Sequence, residues 1–333
     1  MGRRGSGSRG AGTVRRVNAS KALERSPAIV LVGTGVVSVQ LGAAIATKLF
    51  GRVGPAGTVA IRVTLAAVVL AALARVARHR SARGGRSRST GATVRADRLV
   101  ATCFGIVLGG MNLSFYEAIA RIPLGVAVTM EFCGPLLLAL AGSRRWSDGL
   151  WALGAGAGVA LLLSGVGRRL DPAGEVLALV AGACWAGYIL LSKETGRRLP
   201  ALDGLAWAMT SAAALLLPVG LVAGGTALLG PGVLGLGVVV ALLSSVVPYS
   251  LELLALRRVT SRAFGVMTSL GPAVATAVGF VVLGQQLDLR EWVALSLVVA
   301  SNLGNTLGGR RAPLAGTPLE PVRRLDDGGA GRI

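Results

Sequence analysis

Very little of the usual chemistry is available to this chain. Its 333 residues include one histidine and three cysteines, with aromatic side chains at 4% and charged ones at 15%. The single histidine, His79, lies in the most basic stretch between two apolar runs, which removes histidine catalysis and histidine metal ligation. Cys103, Cys133 and Cys184 all fall inside apolar runs, are odd in number and lack metal-ligand spacing. They form neither a disulfide framework nor a zinc site and read as small packing residues. No lysine follows a glycine, so the phosphate-cradling loop of ATP hydrolases is absent and no cofactor is implied. A charged share of 15% is also too small for an ordinary soluble fold, where about a quarter of residues are charged.

What the chain has is hydrophobic length. Apolar residues make up 53%, gathered into ten runs of about twenty residues, enough at about 1.5 Å of helical rise each to cross a hydrocarbon core of about 30 Å. The predicted spans are about 28–50, 55–76, 99–120, 122–141, 150–166, 174–192, 205–224, 233–256, 262–283 and 290–309. Residues 1–27 and 310–333 read as polar tails. Arg15 and Arg16 precede the first run as in an export signal, but that run is too long for a cleaved one.

The net charge of +20 sits in the gaps between runs, where it meets anionic lipid and sets topology, with no folded face to present to nucleic acid. Counted by alternate segments, 28 Lys and Arg fall on the side of both termini and 6 on the other, which predicts a cytoplasmic N- and C-terminus in the inner (plasma) membrane.

The chain also repeats. Sliding it by 137 positions lays Gly134-Pro135 on Gly271-Pro272 and Met130 on Met267; sliding it by 145 lays Lys48 on Lys193 and Pro55 on Pro200. Two copies of five spans, 28–166 and 171–309, must enter the membrane from opposite sides, because five is odd. Inverted repeats of this kind move a central site's exposure from one face of the bilayer to the other.

The densest stretch is Asn112 to Pro135, NLSFYEAIARIPLGVAVTMEFCGP. It predicts the end of one span, a tight turn at 120–123, and a span with a mid-membrane acid four residues before a proline. A helix proline leaves the carbonyl four positions back without a donor, so Pro135 frees the carbonyl of Glu131 and Pro272 that of Thr268. Both prolines are expected to kink their helices. This pattern, N-x-x-F-Y-x-A-I-x-R-I-P-L-G-x-A-V-x-x-E-F-x-G-P, resembles the EamA-type drug/metabolite transporters, and among them the threonine/homoserine exporter branch. The resemblance extends over about residues 28–309. It implies a ten-helix transporter that exports small metabolites, with a threonine- or homoserine-like amino acid as the cargo; the rivals are a drug, nucleoside or other metabolite, and, outside the class, a passive channel or membrane sensor. An enzyme is not expected.

Glu131 is too deep to reach water by snorkelling and can take and release a proton there; its bland reading is a neutral carboxyl bonded to a neighbouring helix. Asn112 and Tyr116, four apart, share a helical face, as Trp185 and Tyr188 nearly do, and Tyr249 with Glu252 makes a further polar face. Asn112, Tyr116, Glu131, Trp185, Tyr188 and Tyr249 are the expected substrate residues, set against packing and interfacial roles for the aromatics. Arg62, inside span two, either attracts a substrate carboxylate, snorkels or pairs with a glutamate. Glu117 is either part of the site or an interfacial acid. Trp146, Trp151 and Trp292 read as interfacial anchors, and Pro248 as a bend in span eight. The expected partners are a small-molecule substrate, membrane lipids and protons as coupling ion, with a homodimer left open.

Overall fold

A computed structural model describes residues 28–81, 91–141, 146–164, 170–248, 251 and 267–308, and every regular element among them is helical. Tyr249, Glu252 and the two tails lie outside the described residues. The first element, α1 (Ala28–Ser81), is two rods joined at Gly54, whose φ of 68° and ψ of 170° leave the helical region. Glycine alone takes that conformation without strain, and Pro55 then opens the second limb where a missing N–H costs nothing. The helices α2 (Gly91–Ile119), α3 (Leu124–Glu131), α4 (Cys133–Ala141) and α5 (Trp146–Leu163) follow. The remaining elements are α6 (Pro172–Arg198), α7 (Ala201–Gly224), a 3-10 turn (Gly225–Leu229), α8 (Pro231–Ala241), a π-helical turn (Leu242–Val246), α9 (Gly271–Leu283) and α10 (Leu289–Gly308).

Four of these helices are long and apolar enough to cross a membrane, and four shorter ones are apolar throughout. Their outer faces carry large aliphatic side chains in the open, such as Val222 at 90%, Val281 at 78% and Leu153 at 71% exposure. A water-facing surface does not tolerate so much contiguous apolar area; a lipid-facing one requires it.

Packing runs between the sequence halves. The closest helix pairs are α1 with α7 and α8, α2 with α6, α5 with α10, and α3 with α9, each joining one helix before residue 166 to one after 171. The folded core is therefore the seam between the halves. Helix ends along it are satisfied across it: the backbone N–H of Leu124, the first residue of α3, donates to Gln285 Oε1 at 3.0 Å, one of the orphan donors that a helix start leaves. At the start of α10, Asp288 and Glu291 bond reciprocally to each other's backbone N–H at 2.8 and 2.9 Å, a capping box.

Several sequence expectations need correction. The fourth span, expected as one rod over 122–141, is two helices with a turn at Phe132. Without an N–H on Pro135 the ladder cannot continue, and the next bond, Leu136 N–H to Phe132 O, is stretched to 3.4 Å. At the equivalent place in the second half, Met267 and Thr268 are helical, Ser269 and Leu270 turn, and α9 begins at Gly271 with Pro272 in its first turn. Helices α1 and α2 also extend past their apolar runs, to Ser81 and from Gly91, because arginine is a good helix former outside hydrocarbon. Trp151 is a packing residue, not an interfacial anchor, since its indole lies against Gly304 of α10. Trp292 is half exposed.

The tightest point of the seam is where α6 crosses the α3–α4 break. A side chain at Gly134 would run into the backbone carbonyl of Gly182, and one at Gly182 would sit 2.8 Å from the Glu131 carbonyl oxygen. Only backbone fits between these two helices. Gly134→Ala and Gly182→Ala are expected to lose most of the folded protein recovered in detergent. Gly149→Ala, where nothing lies within 4 Å of the added methyl, should match wild type or exceed it, as helical alanine outranks glycine by about 1 kcal/mol. Thermal unfolding followed by size-exclusion chromatography measures the difference.

Candidate substrate site

Along α3 every residue from Leu124 to Met130 is buried, and the helix ends on Glu131, which is partly buried. The break that Pro135 imposes therefore sets a carboxylate at the end of the buried helix. Phe132 turns against Trp185 of α6, edge on, with ring centroids 4.7 Å apart at 89°. Cys184 is close enough to feel the Glu131 charge.

Arg62, from the second limb of α1, is near enough to act on Glu131 electrostatically. It neither snorkels nor forms an ion pair with that glutamate within 4.0 Å. Its Nη1 donates to the hydroxyl of Tyr116 at 3.1 Å, and its Nη2 donates to the backbone carbonyl of Ser244 at 3.1 Å. The guanidinium carbon also stands 5.3 Å from the Tyr116 ring centroid, within cation–π range. Tyr116 is fully buried, its ring flanked by Phe50 and Phe115 at 6.0 and 6.2 Å.

The Ser244 carbonyl is available for a reason written in the sequence. Pro248 lies four residues on and has no N–H to offer it, so the helix slips into a π turn over Leu242–Val246, where the Val247 N–H bonds back to Leu242 O. Arg62 supplies the missing donor from the other half of the chain. Around it the first limb of α1 approaches closely: Ser38 Oγ donates to Leu243 O at 2.7 Å, and Gly42 sits where a side chain would strike Ser244 Oγ. Arg62 Nε, Ser244 Oγ and Gln40 Oε1 are buried with no protein hydrogen-bond partner. Three orphaned polar atoms in an apolar interior are a cost of about 1–3 kcal/mol each unless a ligand or water meets them.

The other expected residues fall at varied distances from this centre. Asn112 is buried, and its amide donates to Leu108 O of its own helix at 2.8 Å. Tyr188 packs on Phe104 at 5.1 Å, in the α2–α6 contact, while Trp185 packs with the α3–α4 break. Glu117 takes its bland reading: it pairs with Arg121 at 2.7 Å and closes the turn after α2. Sequence reasoning left the role of Arg62 open, outside the expected substrate residues, and passed over Ser244, Gln40 and Ser38. The proline rule that singled out Glu131 would have found Ser244 if applied to Pro248. Gln40 and Ser38, isolated polar residues in the first apolar run, carried a weaker signal.

Among the described residues no group of three or more His, Cys, Asp or Glu is placed to hold a metal ion. An open groove of about 740 Å³ lies on the outer face of α5 and is lined by Gly149, Leu150, Leu153, Gly156 and neighbouring alanines. It is apolar and separate from the charged centre.

An all-helical apolar bundle with lipid-suited outer faces and a broken helix at its seam is built as a membrane protein. Comparison with known proteins agrees. Residues 172–307 match the EamA-like transporter family. The chain is 40% identical over 293 residues to the threonine/homoserine exporter RhtA of Salmonella typhimurium strain LT2, covering 86% of this chain and 93% of that one. It is 39% identical over 289 residues to the threonine/homoserine exporter RhtA of Escherichia coli K12, covering 85% and 92%. A crystal structure 23% identical in sequence superposes with a TM-score of 0.54 over 86% of this chain and all of the other, which speaks for the fold alone. The chain belongs to the EamA-like transporter family.

Tyr116→Phe keeps the ring but deletes the acceptor for Arg62. It should lower the unfolding stability of the detergent-solubilised protein by about 1.5–3 kcal/mol, the usual worth of a hydrogen bond to a charged group. Pro248→Ala gives the Ser244 carbonyl a backbone donor and competes with Arg62; transport is expected to fall while folded yield holds, as measured by vesicle uptake normalised to protein.

Proposed function

We propose that this protein is a secondary transporter of the inner (plasma) membrane that exports threonine- or homoserine-like amino acids in exchange for protons. It crosses the bilayer ten times, as two inverted five-helix repeats at 28–166 and 171–309, with both termini in the cytoplasm. Substrate binds between the halves, near Asn112, Tyr116, Glu131, Trp185, Tyr188 and Tyr249. Glu131 is the group that exchanges a proton for substrate. Lipids surround the bundle, and no bound cofactor takes part.

The observation that carries this reading is the placement of Glu131: an acid at the end of a buried helix, within electrostatic reach of Arg62. Intramembrane acids are costly unless they do something. The choice of cargo is supported by the relatives, which are named as threonine/homoserine exporters. The helix seam supplies the mechanical part, since each half packs chiefly on the other and a rocking motion would change which side the seam opens to.

Cells that overproduce the protein are expected to accumulate threonine and homoserine in the medium, and cells lacking it to retain them; a different excreted metabolite would reassign the cargo. In reconstituted vesicles, wild-type exchange should respond to an imposed pH gradient, and Glu131→Gln at matched abundance should lose that response. Equal rates with the same pH dependence in both would remove the proton role.

A further inference from the structure

We infer that Arg62 and Glu131 are the two poles of a receptor for a zwitterion, Arg62 taking the α-carboxylate of the substrate and Glu131 its ammonium group. The inference deepens the exporter reading above and rests on it.

The placement of the two charges is unusual. Opposite charges in an apolar interior gain most by closing into an ion pair, because separation leaves each poorly compensated. Here they attract each other yet make no ion pair within 4.0 Å. Arg62 is held back by two fixed acceptors on two other helices, the Tyr116 hydroxyl of α2 and the Ser244 carbonyl that Pro248 leaves open. Both anchors use terminal nitrogens of the guanidinium. The Nε–H is left buried and unpartnered.

A guanidinium carries five N–H donors in a rigid fork, and Nε with the neighbouring terminal nitrogen forms an edge whose two parallel N–H bonds match the two oxygens of a carboxylate. Two donors are spent on positioning, and the buried Nε–H is among the three that remain for a ligand. On the other pole, Glu131 is only partly buried and makes no ion pair within 4.0 Å. A molecule with a carboxylate at one end and an ammonium at the other would satisfy both at once. It would also enter as a neutral whole, so the loaded site carries no more net charge through the hydrocarbon than the empty one.

An unused group beside the arginine fits the rest of such a molecule. Ser244 Oγ, on the residue whose carbonyl anchors Arg62, is buried without a partner, and a hydroxyl can donate to or accept from a hydroxyl on the ligand. Amines without a carboxylate and acids without an ammonium each leave one pole uncovered. The receptor therefore selects α-amino acids as a class, and a hydroxylated side chain is an addition to that selection.

The test uses the full-length chain in proteoliposomes, with inhibition of threonine counterflow as readout and three probes: threonine, threoninol, which lacks the carboxylate, and N-acetylthreonine, which lacks the ammonium. Wild type is expected to bind each analogue about 10- to 100-fold more weakly than threonine, the usual loss for a hydrogen-bonded charge. Arg62→Gln should bring threonine down to the level of threoninol and leave threoninol unchanged; Glu131→Gln should do the same for the pair threonine and N-acetylthreonine. A merely structural arginine would weaken all three probes by one factor, and that result would overturn the assignment. So would a wild type that binds threoninol as well as threonine, a comparison that stands even if Arg62→Gln does not fold. If wild type ignores threonine, the same contrast is run with other amino acids and their decarboxylated amines. Discrimination there keeps the receptor and removes only the threonine reading, whereas a cargo lacking either charged pole removes the receptor and leaves transport intact.

Discussion

The hydrogen bond from Arg62 to the Ser244 carbonyl is the contact on which the interior depends. A π turn ahead of Pro248 leaves a carbonyl without its helical donor, and an arginine from the opposite sequence half, already costly in an apolar bundle, supplies one. Each would be a defect alone. Together they fasten the second limb of α1 to the end of α8 and fix a positive charge beside the broken end of α3. Tyr116 completes the hold with its hydroxyl and ring.

The same economy governs the seam. Where the helices need to touch, glycine removes the side chains, as at Gly42 against Ser244 and at Gly134 and Gly182 around the α3–α4 break. Where the start of α3 needs an acceptor, Gln285 of the opposite half supplies it to the Leu124 N–H. A bundle whose closest contacts all cross between halves has its tightest packing in the same place as its charged centre. For a proposed carrier this coincidence matters, because a change in how the halves meet is felt first at Arg62 and Glu131. It also brings proton and cargo to one carboxylate, where an ammonium group and a proton cannot both be held.

Much of this was legible in the sequence. The apolar runs gave the helical class, and the motif at Asn112 to Pro135 gave the family and the break beside Glu131, because proline's missing N–H acts at a fixed distance along the chain. Long-range pairing was not legible. Nothing local in the run around Arg62 says that its partners are Tyr116, 54 residues on, and a carbonyl 182 residues on. The tryptophan at 151 shows the same limit: its position near a span end suggested an interfacial anchor, and only the glycine opposite, in α10, reveals a packing role. The turn at Phe132 lay between these extremes, since proline predicts a kink but not that the rod divides in two.

A native thiol offers the most direct check on the central claim, that the charged centre lies on a solvent-accessible path which substrate occupies. Cys184 is partly exposed and close enough to Glu131 to sense its charge. In a chain with Cys103 and Cys133 replaced by alanine, a water-soluble, membrane-impermeant thiol reagent should label Cys184 from one side of the membrane, and saturating threonine should slow that labelling several-fold. Labelling only by lipid-soluble reagents, at a rate threonine does not change, would contradict the account.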